Sequence, residues 1–543
     1  MTDTRSTDAA VADLSPRAKL EILGAILLAL FLFALDQTVV GTALPVIITQ
    51  LRGNELYAWS FTIYLLTSTI SGPIYAKLSD LFGRRPIILW AVGLFVVSSI
   101  LAGLSQDMTQ FIIFRGLQGL GGGAVFPVAL AVVADLYTPA DRGKYLGFFG
   151  AVFGLSSLVG PAIGGLITDL FGWHWIFFVN VPVALVSFIV LFRLLPAIRH
   201  PEAGRDIDYV GAAVFSAAIG SLLLGLTNKG SGQWSDPAVG GLIALGLLLG
   251  AVFVWVESRV PEPIVPLSLF RIRTFSLSVA SVFLAAFGFF TAVVFLPRWL
   301  QTVAGASATE SGYNLLPLIG GLIVSATSSG QIVARLGRYK ALMFGGLLLV
   351  AFGLFLLSGL HTDTPRPVLW LWMLIAGLGI GPTFAVFTLI VQNEVPPRQI
   401  GSATGALSFF QQIGGTVGLT IATTIFTERL IAEIPRQLLA AGVPPALVAA
   451  LPPGAGSQII GTGDLGQRIL EATPPQAQAV VLPLIPNIVN GIHEAFTVAM
   501  DATYWAGIVA SLIAAGLILF LRELPMRQTH EVEPAMALEA EPG

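Results

Sequence analysis

Ala76-Lys77-Leu78-Ser79-Asp80-Leu81-Phe82-Gly83-Arg84-Arg85 aligns, 254 residues later, with Gly330-Gln331-Ile332-Val333-Ala334-Arg335-Leu336-Gly337-Arg338-Tyr339. At an offset of 258, Gly119-Leu120-Gly121 matches Gly377-Leu378-Gly379, and Asp135, Gly143, Gly147 and Gly160 match Asn393, Gly401, Gly405 and Gly418. The chain is therefore an internal repeat, and each copy of the loop lies between the second and third apolar runs of a six-run set. An even number of runs separates the copies, so the repeats run parallel, related by an axis along the membrane normal.

The surrounding composition says what the runs are. Of 543 residues, 55% are hydrophobic and 11% charged, with a mean hydropathy of +0.83. Soluble domains carry roughly 25% charged residues, so a soluble globular protein is excluded. The net charge of −3 supplies no basic field for nucleic acid. With no Cys and the 5 His scattered, no metal-ligand spacing exists. Fourteen runs reach the roughly 20 residues a bilayer span requires: 22–48, 57–78, 86–105, 109–133, 144–167, 174–195, 209–227, 238–257, 275–297, 312–334, 341–360, 367–391, 401–427 and 495–521. They lack period-2 alternation, so helices are the spanning solution.

Placing both termini in the cytoplasm puts 20 Lys and Arg in inner segments against four (Arg52, Lys229, Arg298, Arg366) in short outer loops, the bias expected of cytoplasmic loops. Three more lie in the long outer segment 428–494, and Arg115 falls within the membrane. The organisation predicted is a tail at 1–19, a six-helix bundle at 20–205, two inserted helices at 206–260, a second six-helix bundle at 261–525 and a tail at 526–543. The segment 428–494, broken by Pro435, Pro444, Pro445, Pro452, Pro453 and Gly461, reads as a small extracellular cap.

Four stretches carry chemistry. In Leu35-Asp36-Gln37-Thr38-Val39-Val40-Gly41-Thr42-Ala43-Leu44-Pro45, Asp36 sits about 21 Å into the first span. A carboxylate there costs about 2.5–3.5 kcal/mol and usually marks a pathway; burial in general favours the neutral carboxyl, which suits proton exchange. The alternative is an Asp held permanently by a neighbour. In Phe111-Ile112-Ile113-Phe114-Arg115-Gly116-Leu117-Gln118-Gly119, Arg115 lies about 9 Å below the outer surface, comparable in depth to Asp36. Each charge is the obvious partner of the other, and its repeat-mate is Met373. A purely structural ion pair remains the alternative. In the quoted loop, Gly83 permits a tight turn and an acidic side chain can cap a facing helix N-terminus. Along span 5, Gly147, Gly150, Gly154, Gly160, Pro161, Gly164 and Gly165 permit close helix approach, with Pro161 kinking the path.

These stretches resemble the fourteen-span drug:proton antiporter family of the major facilitator superfamily, over nearly all of residues 22–525. Further likeness lies in Trp173 to Pro182, Glu262 to Leu267 and Gln411-Gln412-Ile413-Gly414-Gly415. The resemblance implies an all-α polytopic membrane protein of the major facilitator fold. It makes Asp36 a proton and substrate site with Arg115 as its partner, and the loop (Asp80, Gly83, Arg84, Arg85) a cytoplasmic latch against Arg142 and the start of span 13 near Gly401 and Ser402. Gly147, Gly160, Pro161, Gly164 and Gly165 become the antiporter helix motif. Gln118, Asn180, Gln411 and Gln412 are candidate cavity linings, although interhelical hydrogen bonding explains Gln411 and Gln412 nearly as well. Asp501 is either a second cavity carboxylate or an interfacial residue snorkelling outward.

The function expected is proton-coupled antiport, exporting amphiphilic, cationic or otherwise lipophilic compounds across the cytoplasmic membrane. Export of one physiological compound (a lipid, siderophore or antibiotic) is the alternative on the same fold. No cluster of nucleophile, base or metal ligands supports a membrane enzyme, and the repeat disfavours a fixed channel. A monomer is expected, without cofactor, with protons, the bilayer and a small amphiphile as partners.

Overall fold

The computed structural model describes residues 14–51, 57–196, 208–229, 232–306, 308–396, 399–449, 465–473, 478 and 480–523. The fold is all-α. Fourteen long helices coincide with the fourteen apolar runs: α1 Pro16–Leu51, α2 Tyr57–Phe82, α3 Arg84–Gly103, α4 Met108–Leu136, α5 Pro139–Phe171, α6 Asn180–Leu194, α7 Tyr209–Asn228, α8 Leu242–Glu257, α9 Arg273–Thr302, α10 Leu316–Leu336, α11 Lys340–Ser358, α12 Arg366–Glu394, α13 Ile400–Ala440 and α14 Ile485–Leu519. By length and composition eleven helices qualify as membrane crossings among the described residues. The remaining three, α2, α5 and α13, carry the Ser, Thr, Gly and Gln that meet the other half of the molecule. The chain is a multi-pass membrane protein.

Local signals explain the helix ends. Asp107 caps α4 by accepting from Gln110 N at 2.9 Å, and Asp208 caps α7 through Gly211 N at 2.7 Å. Gly83 (φ 97°) and its repeat-mate Gly337 (φ 66°) occupy left-handed backbone between the second and third helices of each set. Positive φ favours glycine, and the two corners use it differently, with ψ 156° at Gly83 and 3° at Gly337.

Helices α1 to α6 pack as one set, α9 to α14 as a second, and α7 with α8 stand outside them. The halves meet along two seams, α2 against α13 and α5 against α10, with α4 and α12 joining at the end that bears the Ala76–Arg85 loop. There Gln392 Nε2 of α12 donates to Leu130 O of α4 at 3.3 Å.

Several expectations need correction. The run at 174–195 is broken at Val179 into a turn, Trp175–Phe178, and α6. The 428–494 segment is not simply short broken pieces: α13 continues to Ala440 through Pro435, and α14 begins at Ile485. Gly442 (φ 83°) ends the first extension. Short helices Pro445–Ala449 and Leu465–Ala472 lie between them, and Leu465 and Ile469 are buried. Residues 450–464 and 474–477, and the tails at 1–13 and 524–543, lie outside the described residues.

Candidate functional site

The glycines of α4 build the site by removing side-chain volume on three faces of one helix. A Cβ at Gly119 would collide with Thr67 Oγ1 and the Tyr64 carbonyl of α2. At Gly121 it would meet Phe95 N of α3 at 2.7 Å, and at Gly122 the Phe33 ring of α1 at 2.5 Å. These contacts let α1, α2 and α3 close on α4 one turn from Arg115.

Inside that packing Asp36, Arg115, Gln118, Asn180 and Ser99 are all buried. Arg115 Nη1 donates to Asp36 Oδ2 at 2.5 Å and to Gln118 Oε1 at 2.6 Å. Gln118 Nε2 donates to Asp36 Oδ1 at 2.9 Å and Asn180 Nδ2 to the same oxygen at 3.4 Å. Ser99 Oγ accepts from Gln118 and Asn180 and donates to Phe177 O at 3.0 Å. Four helices of the first set, α1, α3, α4 and α6, with the Trp175–Phe178 turn, therefore build one network around a carboxylate that accepts from three donors. Nε and Nη2 of Arg115 have no hydrogen-bond partner; the guanidinium instead lies 4.2 Å from the Tyr64 ring centroid and 5.9 Å from that of Phe177. A cation over an aromatic face gains roughly 2 kcal/mol when desolvated, which offsets part of the burial cost. Breaking such a buried pair from one side costs about 3–5 kcal/mol.

The other sites expected from sequence fall in different places. Gln412 accepts from Thr69 Oγ1 across the α2/α13 seam at 3.3 Å, and Gln411 is half-buried beside it. Asp501 is half-buried near Ser358 and His361, at the end of α11 remote from Gly337. The structure thus joins Asp501 to α11 rather than to the Asp36 cluster. Ser99 and Tyr64 escaped sequence reasoning. A Ser98-Ser99 pair in an otherwise apolar helix was the available signal.

At the loop end, Asp80 caps the N-terminus of α13 from the other half of the molecule. Its oxygens accept from Gly401 N at 3.0 Å, Ser402 N at 2.7 Å and Ser402 Oγ at 2.8 Å. Arg84 also binds Asp80, reaches Ser79 Oγ at 2.8 Å and pairs with Asp135 Oδ2 at 2.9 Å. The described contacts of Arg85 and Arg142 are with other groups. Arg85 turns outward to the Phe192 carbonyl and ring of α6, and Arg142 donates to Tyr137 O and Ala134 O at the C-terminal end of α4, at 2.9 and 2.6 Å, next to Asp135. Asp135, read only as a repeat-mate of Asn393, is the additional acid.

In α5, the backbones of Gly147, Gly150 and Gly154 approach Thr327, Leu322 and Ile319 of α10, and Gly160 lies against Thr38 of α1. Gly164 accepts from Thr168 Oγ1 at 2.6 Å, and a Cβ at Gly165 would meet open space. The Pro161 side chain lies outside the described residues.

Residues 26–419 match the model of the Major Facilitator Superfamily. The chain is 35% identical over 512 residues to the multidrug transporter protein MdtP of Bacillus subtilis, covering 93% of each chain. It is 32% identical over 520 residues to multidrug resistance protein 3 of the same organism, covering 95% of this chain and 97% of the relative. Among solved structures it resembles the proton:xylose symporter XylE, with a TM-score of 0.57 and 15% identity over 94% of this chain and 96% of that one. That likeness concerns the fold alone.

Proposed function

Because this chain belongs to the Major Facilitator Superfamily, we propose that it is a proton-coupled antiporter that exports amphiphilic compounds, cations among them, across the cytoplasmic membrane. The relatives named for multidrug transport and resistance support drug efflux. The observation that carries the coupling is the buried Asp36–Arg115 pair, set in the first half with no counterpart at Met373.

The cycle runs on one carboxylate serving two ligands in turn. While Arg115 contacts Asp36 the carboxylate is occupied by its ion-pair partner; once the two part, its oxygens are open to a proton. A lipophilic cation competes for the same oxygens, so proton and substrate exclude one another. Gln118 and Asn180 orient the carboxylate through both exchanges. Asp80 holds the loop end closed, and rocking of one half on the other carries the site from side to side. On the charge bias, the loop end faces the cytoplasm.

The test is substrate-induced proton release from detergent-purified protein, together with dye movement in proteoliposomes under an imposed pH gradient. Wild type should release protons on adding a lipophilic cation, and Asp36→Asn should not. Equal release from both would move the coupling elsewhere. Saturable response to one physiological compound, and to no dye, would replace drug export with dedicated export.

A further inference from the structure

The two seams between the halves are not equivalent, because the inserted pair covers one of them. Helix α7 touches both halves. Its Phe215 ring lies 5.1 Å from the Phe409 ring of α13, and Gly220 sits against Ile70 of α2. The linker after α8 reinforces this: Glu262 pairs with Lys77 of α2 at 2.6 Å, and Phe270 lies 6.0 Å from Phe410 of α13. Helix α8 stacks outside α7, exposing Leu247, Leu248 and Trp255. The α2/α13 seam is thus roofed by two helices whose outer face suits hydrocarbon.

Among the described residues α7 packs on α2 and α13, α8 packs on α7, and neither packs, beyond isolated contacts, on the α5/α10 seam. Among the described contacts that close that seam are Gly147, Gly150 and Gly154 against Thr327, Leu322 and Ile319, approaches largely of van der Waals type that are individually weak. At the α2/α13 seam, by contrast, Asp80 accepts three hydrogen bonds from α13. When the halves part at the loop end, both seams open, but only one opens to lipid.

On the exporter reading above, we propose that substrate dissolved in the loop-side leaflet enters the central site through the α5/α10 seam, and that α7–α8 shield the α2/α13 seam against lipid and substrate. An amphiphile partitions into the bilayer before it meets the protein, so a one-sided doorway sets its route and orientation of entry. The occupant is a lipophilic cation with an apolar body: glycine, Leu322 and Ile319, with Thr327 beside them, suit the apolar body, and the Asp36 carboxylate suits the charge.

The test uses the whole protein in liposomes with an imposed pH gradient and a diazirine-bearing lipophilic quaternary ammonium as probe. The probe is photolysed during turnover, and adducts suppressed by excess non-photoreactive analogue are mapped by mass spectrometry. Expected are competable adducts on residues 147–155 and 319–327, several-fold above those on 70–81 and 409–410. Equal or greater competable labelling of the α2/α13 residues overturns the route while leaving the exporter reading intact. Failure of the unaltered protein to move the probe overturns the exporter reading, and the route with it.

Discussion

Asp80→Asn isolates the latch from the rest of the fold. In the native protein both Asp80 oxygens are engaged, with Gly401 N, Ser402 N, Ser402 Oγ and Arg84 as donors. Asparagine keeps one acceptor oxygen of similar shape and loses the charge. Hydrogen bonds to a charged group contribute about 1.5–3 kcal/mol each, and the interaction with a helix N-terminus about 0.3–1 kcal/mol. With the amide oxygen in the place of Oδ2, the two Ser402 bonds survive in neutral form. The charge-assisted bond to Gly401 N and the helix-terminus interaction are lost, about 2–4 kcal/mol, which shifts the closed-to-open ratio at the loop end roughly 30- to 900-fold. Arg84 retains Asp135 at 2.9 Å, so the change leaves no guanidinium stranded and the bundle should remain folded. Because the chain has no Cys, spin labels can be placed at Phe82→Cys and Arg338→Cys, exposed positions on opposite halves at the loop end. Pulsed dipolar spectroscopy should show a short distance dominating in the native background and a long one gaining in Asp80→Asn, with slower transport and preserved substrate binding. An unchanged distance distribution with lost binding would refute the latch.

Three further outcomes are expected. A Cys at Phe82 should resist a membrane-impermeant thiol reagent in intact cells and react in inside-out vesicles; labelling from outside reverses the topology. Asp36→Asn leaves Arg115 buried without its counter-charge and should lower stability by about 3–5 kcal/mol, whereas adding Arg115→Gln recovers part of it; thermal unfolding of the two variants measures the difference. Gly160→Leu forces a side chain into Thr38 and should abolish transport, while Gly165→Leu, facing open space, is tolerated in the same dye assay.

What sequence could reveal followed the range of each interaction. The fourteen helices were legible because hydrocarbon demands long apolar runs, and the repeated loop fixed their grouping. The contact of Asp36 with Arg115 was legible from depth, since two isolated charges in hydrocarbon must find each other. The approach of Asp80 to Gly401 and Ser402, although 321 positions away, came from the resemblance rather than from periodicity. Ser99 and Tyr64 stayed hidden because neither is costly to bury, so nothing in their neighbourhood advertises a role. The outward turn of Arg85 and the placement of Asp501 depend on helix rotation, which apolar runs with weak amphipathic bias do not record. The extensions of α13 and α14 were missed because hydropathy marks where lipid ends, not where a helix does.

The helix that Asp80 grips is 41 residues long, about 60 Å from end to end. A rod of that length works as a pointer. A tilt of about 10° at Gly401 swings the tip near Ala440 by about 10 Å, so the smallest release at one face of the membrane becomes a broad sweep at the other. A fluorophore fixed beside Gly442 would therefore time each turnover from the opposite side, without touching the site that binds the cargo.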